Sequence, residues 1–291
     1  MPRPFCIFGE VLFDCFPDGR EVLGGAPFNV AWHLQAFGQS PLFISRIGED
    51  APGERIRRAM SDWGMSLDGL QSDPRHPTGR VTVSLAEGEP SYDIVADSAY
   101  DFIAAEALPD VEPAVIYHGS LARRNPVSAA ALEALKARSP ELIFVDVNLR
   151  EPWWSREEVL ALLDAAHWAK LNRDELALLG GGTDELEEAK RFREIHGLEG
   201  LVLTLGAEGA LALTGDGDPV SVVPVPASKV VDAVGAGDAF ASVLLLGVRL
   251  GWPLSTTMDR AQAFASELVR RRGATISDPA LYATLARRWG L

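Results

Sequence analysis

Apolar and polar positions along the 291-residue chain follow two periods. Short apolar runs at Phe5–Gly9, Leu42–Ile47, Ala114–His118, Leu142–Asp146, Ala169–Leu171 and Leu201–Leu205 read as buried strands. Between and after them lie stretches of helical period: Pro27–Phe37, ended by Gly38; a helix capped by Asp50 that carries Ile56, Met60 and Trp63; Ala129–Ala137; Glu157–His167; Asp174–Leu179; and Leu186–His196. Two more helices are expected at Thr257–Arg270 and Leu281–Trp289. Strand–helix repetition of this kind predicts a mainly parallel sheet with helices on both faces. Ligands then bind at the C-terminal ends of the strands. Two segments break the rhythm. Val81, Val83 and Leu85 alternate with polar residues, turn at Glu87–Pro90, and return at Tyr92–Val95. Together with residues 11–23 they predict a small β-sheet lid, from about 11–23 and 78–99, inserted in one domain spanning 1–291. An apolar lid face favours pairing with a second copy, so a homodimer through the lid is expected. The other segment, Ala210–Leu213 with Val220–Val225, reads as a hairpin.

Composition narrows the partners. Apolar residues make up 47% of the chain, enough for a large core. A net charge of −14 argues against nucleic acid or an anionic membrane surface. The two cysteines, Cys6 and Cys15, lack metal-site spacing and read as reduced thiols of a cytoplasmic protein. Met1-Pro2-Arg3-Pro4 runs straight into a strand without a leader pattern. No apolar run reaches membrane-spanning length.

The stretch DAVGAGDAFASVLLLG, Asp232–Gly247, carries the clearest chemistry. Val230 and Val231 suggest a strand, Gly235-Ala236-Gly237 a turn, and Ala239–Leu246 a buried helix. The first turn of such a helix has amides without intrahelical partners, and its dipole is positive there. Small residues at 235–237 let an anion approach, so this reads as an anion hole for phosphate. Asp238 just inside it is either a helix-dipole partner, stabilising by about 0.3–1 kcal/mol, or a base for a hydroxyl that attacks phosphate. Asn172 and Glu175 in KLNRDELALL have the spacing of a capping box. No G-x-x-x-x-G-K-[ST] is present. The first strand lacks the G-x-G-x-x-G of a dinucleotide-dependent oxidoreductase.

The D-x-x-G-A-G-D-A-F segment and GGAPFNVAWHLQAFG, Gly24–Gly38, resemble the two signature regions of the ribokinase-like (PfkB) sugar kinases, and the resemblance spans essentially the whole chain. It implies a three-layer αβα fold with a mainly parallel sheet and a β-sheet lid. It also implies roles for particular residues. Asp238 is the base, with Gly235, Ala236 and Gly237 as anion hole. Asp14, Gly24, Gly25 and Asn29 bind the sugar, and the glycine pair is a lid hinge. Asn172 and Glu175, matching N-x-x-E, organise Mg2+ through water. Thr204, Gly206 and Gly209 in TLGAEGA hold the nucleotide. Asp232, Gly273 and Ser277 belong to segments that hold a monovalent cation such as K+. Position 233 is Ala where the family commonly has Thr, which removes one hydroxyl near the nucleotide phosphates. Arg150 in DVNLREPWW is placed beside substrate or phosphate, with Asp146 and Asn148 lining the pocket. Trp153 and Trp154 read as packing residues, and the scattered histidines as structural.

GSLARR and DVNLREPWW look most like bacterial fructokinases. The implied reaction is ATP-dependent conversion of D-fructose to fructose 6-phosphate, with Mg2+ as cofactor. Alternatives are a 2-keto-3-deoxygluconate kinase, a ribokinase or nucleoside kinase, and a non-catalytic sugar- or nucleotide-binding regulator.

Overall fold

The computed structural model describes residues 3–86, 89–182, 184–215, 217–224 and 230–291. In chain order the first part contains β1 (Phe5–Phe8), β2 (Leu12–Cys15), β3 (Glu21–Gly24), α1 (Ala26–Ala36), β4 (Leu42–Gly48), α2 (Ala51–Asp62), β5 (Leu70–Asp73), β6 (Gly79–Ala86) and β7 (Glu89–Ile94). There follow β8 (Val115–His118), α3 (Pro126–Lys136), β9 (Leu142–Asp146), α4 (Arg156–Asp164), β10 (Trp168–Asn172), α5 (Arg173–Leu179), α6 (Glu185–Ile195) and β11 (Gly200–Thr204). The chain ends with β12 (Ala210–Thr214), β13 (Val220–Val222), α7 (Ala236–Leu250), α8 (Leu254–Leu268) and α9 (Pro279–Trp289). It divides into two compact units, the first being Met1–Pro113, Ala122–Ser139 and Ser277–Leu291, and the second Ala114–Leu121 and Pro140–Ile276.

In the first unit β1 and β4 pair in parallel, Cys6 opposite Leu42, and β5 adds to β4. A separate four-stranded sheet has the order β3-β2-β6-β7. Its strand β6 alternates as a one-sided strand should, with Val81 and Val83 buried and Thr82 and Ser84 exposed. Asp50 fixes where this sheet begins. Its carboxylate caps α2 by accepting from the Gly53 amide at 2.8 Å, and accepts from the Thr78 hydroxyl at 2.6 Å and amide at 2.9 Å just ahead of β6. Part of the expected turn at 87–90, together with Val225 of the expected hairpin, lies outside the described residues.

In the second unit the strand order is β13-β12-β11-β10-β9-β8. The pairs β8–β9, β9–β10 and β10–β11 are parallel, and β12 and β13 turn antiparallel. Val145, Leu171 and Leu203 of the strands pack with Val159 and Leu163 of α4, Leu176 of α5 and Phe192 of α6 in one core. Trp154 packs against that core, as a structural tryptophan should. Helix α7 is buried from Ala239 to Gly247 without interruption. Its buried Leu244, Leu245 and Leu246 each contribute roughly 1.5–3 kcal/mol by leaving water. A Cβ on Gly247 would collide with the side chain of buried Thr257 of α8. The strand expected at Val230–Val231 is not formed. These residues are exposed, and the Val231 and Asp232 amides donate to the Val269 carbonyl instead of to a sheet neighbour. Gly235 therefore follows a loop rather than a strand.

Candidate active site

In the second unit the glycine turn does what its residues allow. Gly235 is the N-cap of α7 in the left-handed region, φ 79° and ψ −1°, and no side chain caps the helix. Glycine is required on two counts. The dihedral disfavours other residues, and a Cβ would lie 2.5 Å from both Cα and Cβ of Ala274. The Ala236 amide donates to the Ala233 carbonyl and the Ala239 amide to Gly235. The amides of Gly237 and Asp238 lie between them in the first turn, where a helix supplies no intrahelical acceptor. Asp238 is the third helical residue, half-buried beside them.

Strand register sets the neighbouring chemistry. Asp146 on β9 lies opposite Lys170 on β10, and Asn172 lies opposite Thr204 on β11. Residues paired in register share a face. Lys170 Nζ donates to both Asp146 oxygens, at 2.8 and 2.9 Å, and the Tyr117 hydroxyl donates to Asp146 Oδ2 at 3.1 Å. Asp146 thus lies buried in a charge pair rather than lining a pocket. Lys170 is buried too, and its Nζ is 3.5 Å from where a Cβ on Gly237 would be. Burial alone would lower the Lys170 pKa, but Asp146, Glu175 and Asp238 outweigh it and raise it.

Asn172 and Glu175 form a complete capping box. The Glu175 amide donates to Asn172 Oδ1 and the Asn172 amide to Glu175 Oε2, both at 2.8 Å, while the Leu149 amide donates to Glu175 Oε1 at 2.8 Å. Desolvation holds the buried Glu175 carboxyl above its ordinary pKa, although both amides and Lys170 oppose this. Among the described residues no three His, Cys, Asp or Glu side chains gather as a metal cage. One buried carboxylate beside an amide oxygen suits a hard divalent ion completed by water and phosphate oxygens.

Thr204 ends β11, and its hydroxyl donates to Leu171 O at 3.4 Å. Gly206 and Gly209 bracket the next turn at φ 60° and 104°. Arg173 grips Glu208 within that turn, at 2.9 and 3.1 Å. Asp232 accepts from the amides of Val234 and Gly273, both at 3.0 Å, which ties the two expected cation segments together. Ser277 belongs to the other unit and is exposed. Arg150 is exposed and donates to its neighbour's carbonyl, Leu149 O. Asn148 holds a left-handed conformation, φ 44°, which is a strained backbone of the sort that collects at functional sites.

In the first unit, Asp14 on β2 pairs with Val22, and its Oδ2 lies 3.6 Å from where a Cβ on Gly24 would be. Gly25 is the N-cap of α1 at φ 110°, again with no side-chain cap. A Cβ there would sit 2.6 Å from the Glu10 carbonyl oxygen. Asn29 is buried in the first turn of α1, its amide donating to the Gly25 carbonyl. The structure adds residues the sequence reading passed over. Glu10 is buried, and so is the side chain of Arg124, which donates to Asp101 at 2.7 and 2.8 Å and to the Tyr100 hydroxyl at 3.0 Å. Lys170 had a visible signal, a lone charge between Ala169 and Leu171 in a buried strand. Arg124 had none.

The model of the pfkB family carbohydrate kinases matches residues 16–281. A fructokinase of Klebsiella pneumoniae is 31% identical over 83% of this chain and 83% of its own length. An aminoimidazole riboside kinase of Salmonella typhimurium is 28% identical over 94% of this chain and 91% of its own. The crystal structure of fructokinase from Vibrio cholerae O395 in fructose, ADP and calcium ion bound form superposes with a TM-score of 0.84 at 26% identity, covering 97% of this chain and 99% of that one. The chain belongs to the pfkB family of carbohydrate kinases and has the ribokinase-like α/β fold, with helices on both sides of a mostly parallel sheet and a small second sheet.

Proposed function

We propose that this pfkB family carbohydrate kinase transfers the γ-phosphoryl group of ATP to the primary hydroxyl of D-fructose, giving fructose 6-phosphate and ADP. The observation that carries the reaction type is the open N-terminus of α7 with Asp238 in its first turn. Similarity to fructokinases of bacteria and plants supports the sugar. Asp238 accepts the hydroxyl proton as the oxygen forms its bond to phosphorus and the bond to the ADP oxygen breaks. The amides after Gly235 stabilise the transferring group. Asp14, Gly24, Gly25, Asn29 and Arg150 hold the sugar, and Thr204, Gly206 and Gly209 the nucleotide. Asn172 and Glu175 hold Mg2+ through its waters, and the ion neutralises phosphate charge when bound. Asp232, Gly273 and Ser277 serve a monovalent cation, K+. The four-stranded sheet acts as lid and as the contact of a homodimer in the cytoplasm.

A riboside is the second reading, favoured by the similarity to aminoimidazole riboside kinase over nearly the whole chain. The test is ADP release with MgATP against fructose, ribose, 2-keto-3-deoxygluconate and aminoimidazole riboside, with and without potassium. Turnover on fructose at least about tenfold above the others supports the assignment. Preference for the riboside moves the substrate and keeps the mechanism. Purified folded protein that turns over none of them sinks the reading.

A further inference from the structure

All four strands of the small sheet meet the rest of the first unit at the same end. β2 starts at Leu12, opposite both the last residue of β3, Gly24, and the first of β6, Gly79. The amide of Val95, just past β7, donates to the Arg80 carbonyl at 3.1 Å. One arginine grips this end. Arg124 precedes α3 and belongs to the same unit. Its Nη2 donates to the Val95 carbonyl at 2.6 Å and to the Tyr100 hydroxyl at 3.0 Å, and its Nε and Nη2 donate to the Asp101 carboxylate at 2.7 and 2.8 Å. The Tyr100 ring in turn packs over Gly79, where a Cβ would lie 2.6 Å from the ring and 2.8 Å from the Val11 carbonyl oxygen. Ser128 of α3 fixes the same stretch, donating to the Tyr100 carbonyl at 2.7 Å and accepting from the Ile103 amide at 2.8 Å. Stability alone is a poor reason for the charges. The Arg124 and Asp101 side chains are 5% and 2% exposed, and apolar replacements of buried ion pairs are often neutral or stabilising. What a guanidinium adds is direction, because its donors form a rigid planar fork. Here the fork ties the end of β7 to the tyrosine that packs where β6 and β2 begin. Asp14 lies two residues beyond Leu12, about 7 Å along β2, so a small tilt at the gripped end moves its carboxylate.

We propose that Arg124 is a positioning residue for sugar binding: held by Asp101, it fixes the end at which the small sheet joins the first unit, and thereby where that sheet presents Asp14 to the sugar. It acts through the sheet and not by contact with the substrate. The inference rests on the proposed reading in which this sheet is a lid and Asp14 holds the sugar, and Asp14→Asn tests that reading separately.

The experiment measures kcat/KM for the sugar and KM for MgATP in Arg124→Lys, Asp14→Asn and the double variant, using fructose or whichever sugar of the panel the parent turns over fastest. Lysine keeps a charge opposite Asp101 and loses the planar fork. Expected for Arg124→Lys is a cooperative melt with a fall of at least about tenfold in kcat/KM for the sugar, while KM for MgATP stays within about twofold of the parent. In the double variant kcat/KM for the sugar stays within about twofold of Asp14→Asn alone, since a residue that acts by placing Asp14 then has nothing left to place. Should Arg124→Lys fail to fold, Tyr100→Phe takes its place. It keeps the ring on Gly79 and removes one contact of the guanidinium, with an expected loss of at least about threefold and the same absence of additivity with Asp14→Asn. A smaller loss in the folded variant overturns the proposal. Losses that multiply with those of Asp14→Asn, or that fall equally on MgATP, do so as well, since they mark a pair that serves the fold alone. An Asp14→Asn variant with parental kcat/KM for the sugar overturns the lid reading and the proposal with it. A loss in Asp14→Asn with none in Arg124→Lys overturns the role of Arg124 and leaves the lid reading standing.

Discussion

Helices α5 and α7 begin in the same unit, and their first turns are built on opposite plans. At α5, Asn172 and Glu175 close the end, each side chain taking the other's amide. At α7, Gly235 turns the chain and no side chain caps it. The closed plan is the rule here. Asp50, Asn125, Ser155, Asp184 and Asp278 cap α2, α3, α4, α6 and α9. Only two described helices start at a positive-φ glycine with no side-chain cap, α1 and α7, and both are the ones the glycine motifs precede. A helix end without such a cap forgoes about 1 kcal/mol of stabilisation, and on the proposed mechanism the α7 end receives phosphate.

The contrast can be broken most severely at Asp238. Asp238→Asn removes the proton acceptor and leaves the turn in place. We expect kcat for ADP release to fall by about 10²–10⁴ with an unchanged thermal melt; near-parental kcat removes Asp238 as base. Next in size is Gly235→Ala, which forces a methyl group against Ala274 at a positive φ. Its expected cost is about 1–2 kcal/mol of stability together with roughly 100-fold in kcat, read by denaturant titration and steady-state kinetics. A variant that loses stability alone would show that the turn is only a turn. The smallest effect belongs to the closed end. Asn172→Ala should cost about 1 kcal/mol. If Asn172 also orders the hydrated ion, KM for MgATP rises while fructose KM does not. A lower melting temperature with both KM values unchanged confines Asn172 to capping.

These two helix ends also show what a sequence can disclose. The open end was legible because glycines at 235 and 237 and a buried run from Ala239 leave few other structures. Asn172 and Glu175 were legible as a pair for the same local reason, since spacing alone defines a capping box. The preceding loop was misread. Val230 and Val231 have strand chemistry, but among the described residues no strand pairs with them, and the amides of Val231 and Asp232 go to the Val269 carbonyl. Pairing is a tertiary fact. Asp146 was expected to line a pocket and is instead buried against Lys170, because its partner is set by register between β9 and β10. The four segments 12–15, 21–24, 79–86 and 89–94 do assemble into one sheet, since alternation is a local signal. The buried Arg124–Asp101 pair spans 23 positions and left no periodic trace.

Helix α7 is pinned near both ends. Gly235 abuts Ala274, and Gly247 abuts Thr257 twelve residues on, a separation of about 18 Å along the axis. Such a helix is a strut fitted closely at two points along its length. A bulkier residue at 247, far from any reacting atom, would push the strut rather than deform the turn. The end that carries Asp238 would move by the same fraction of an ångström. On the proposed mechanism, catalytic alignment is thus a dimensional tolerance, set as much by the clearance at a remote glycine as by the residues that meet the substrate.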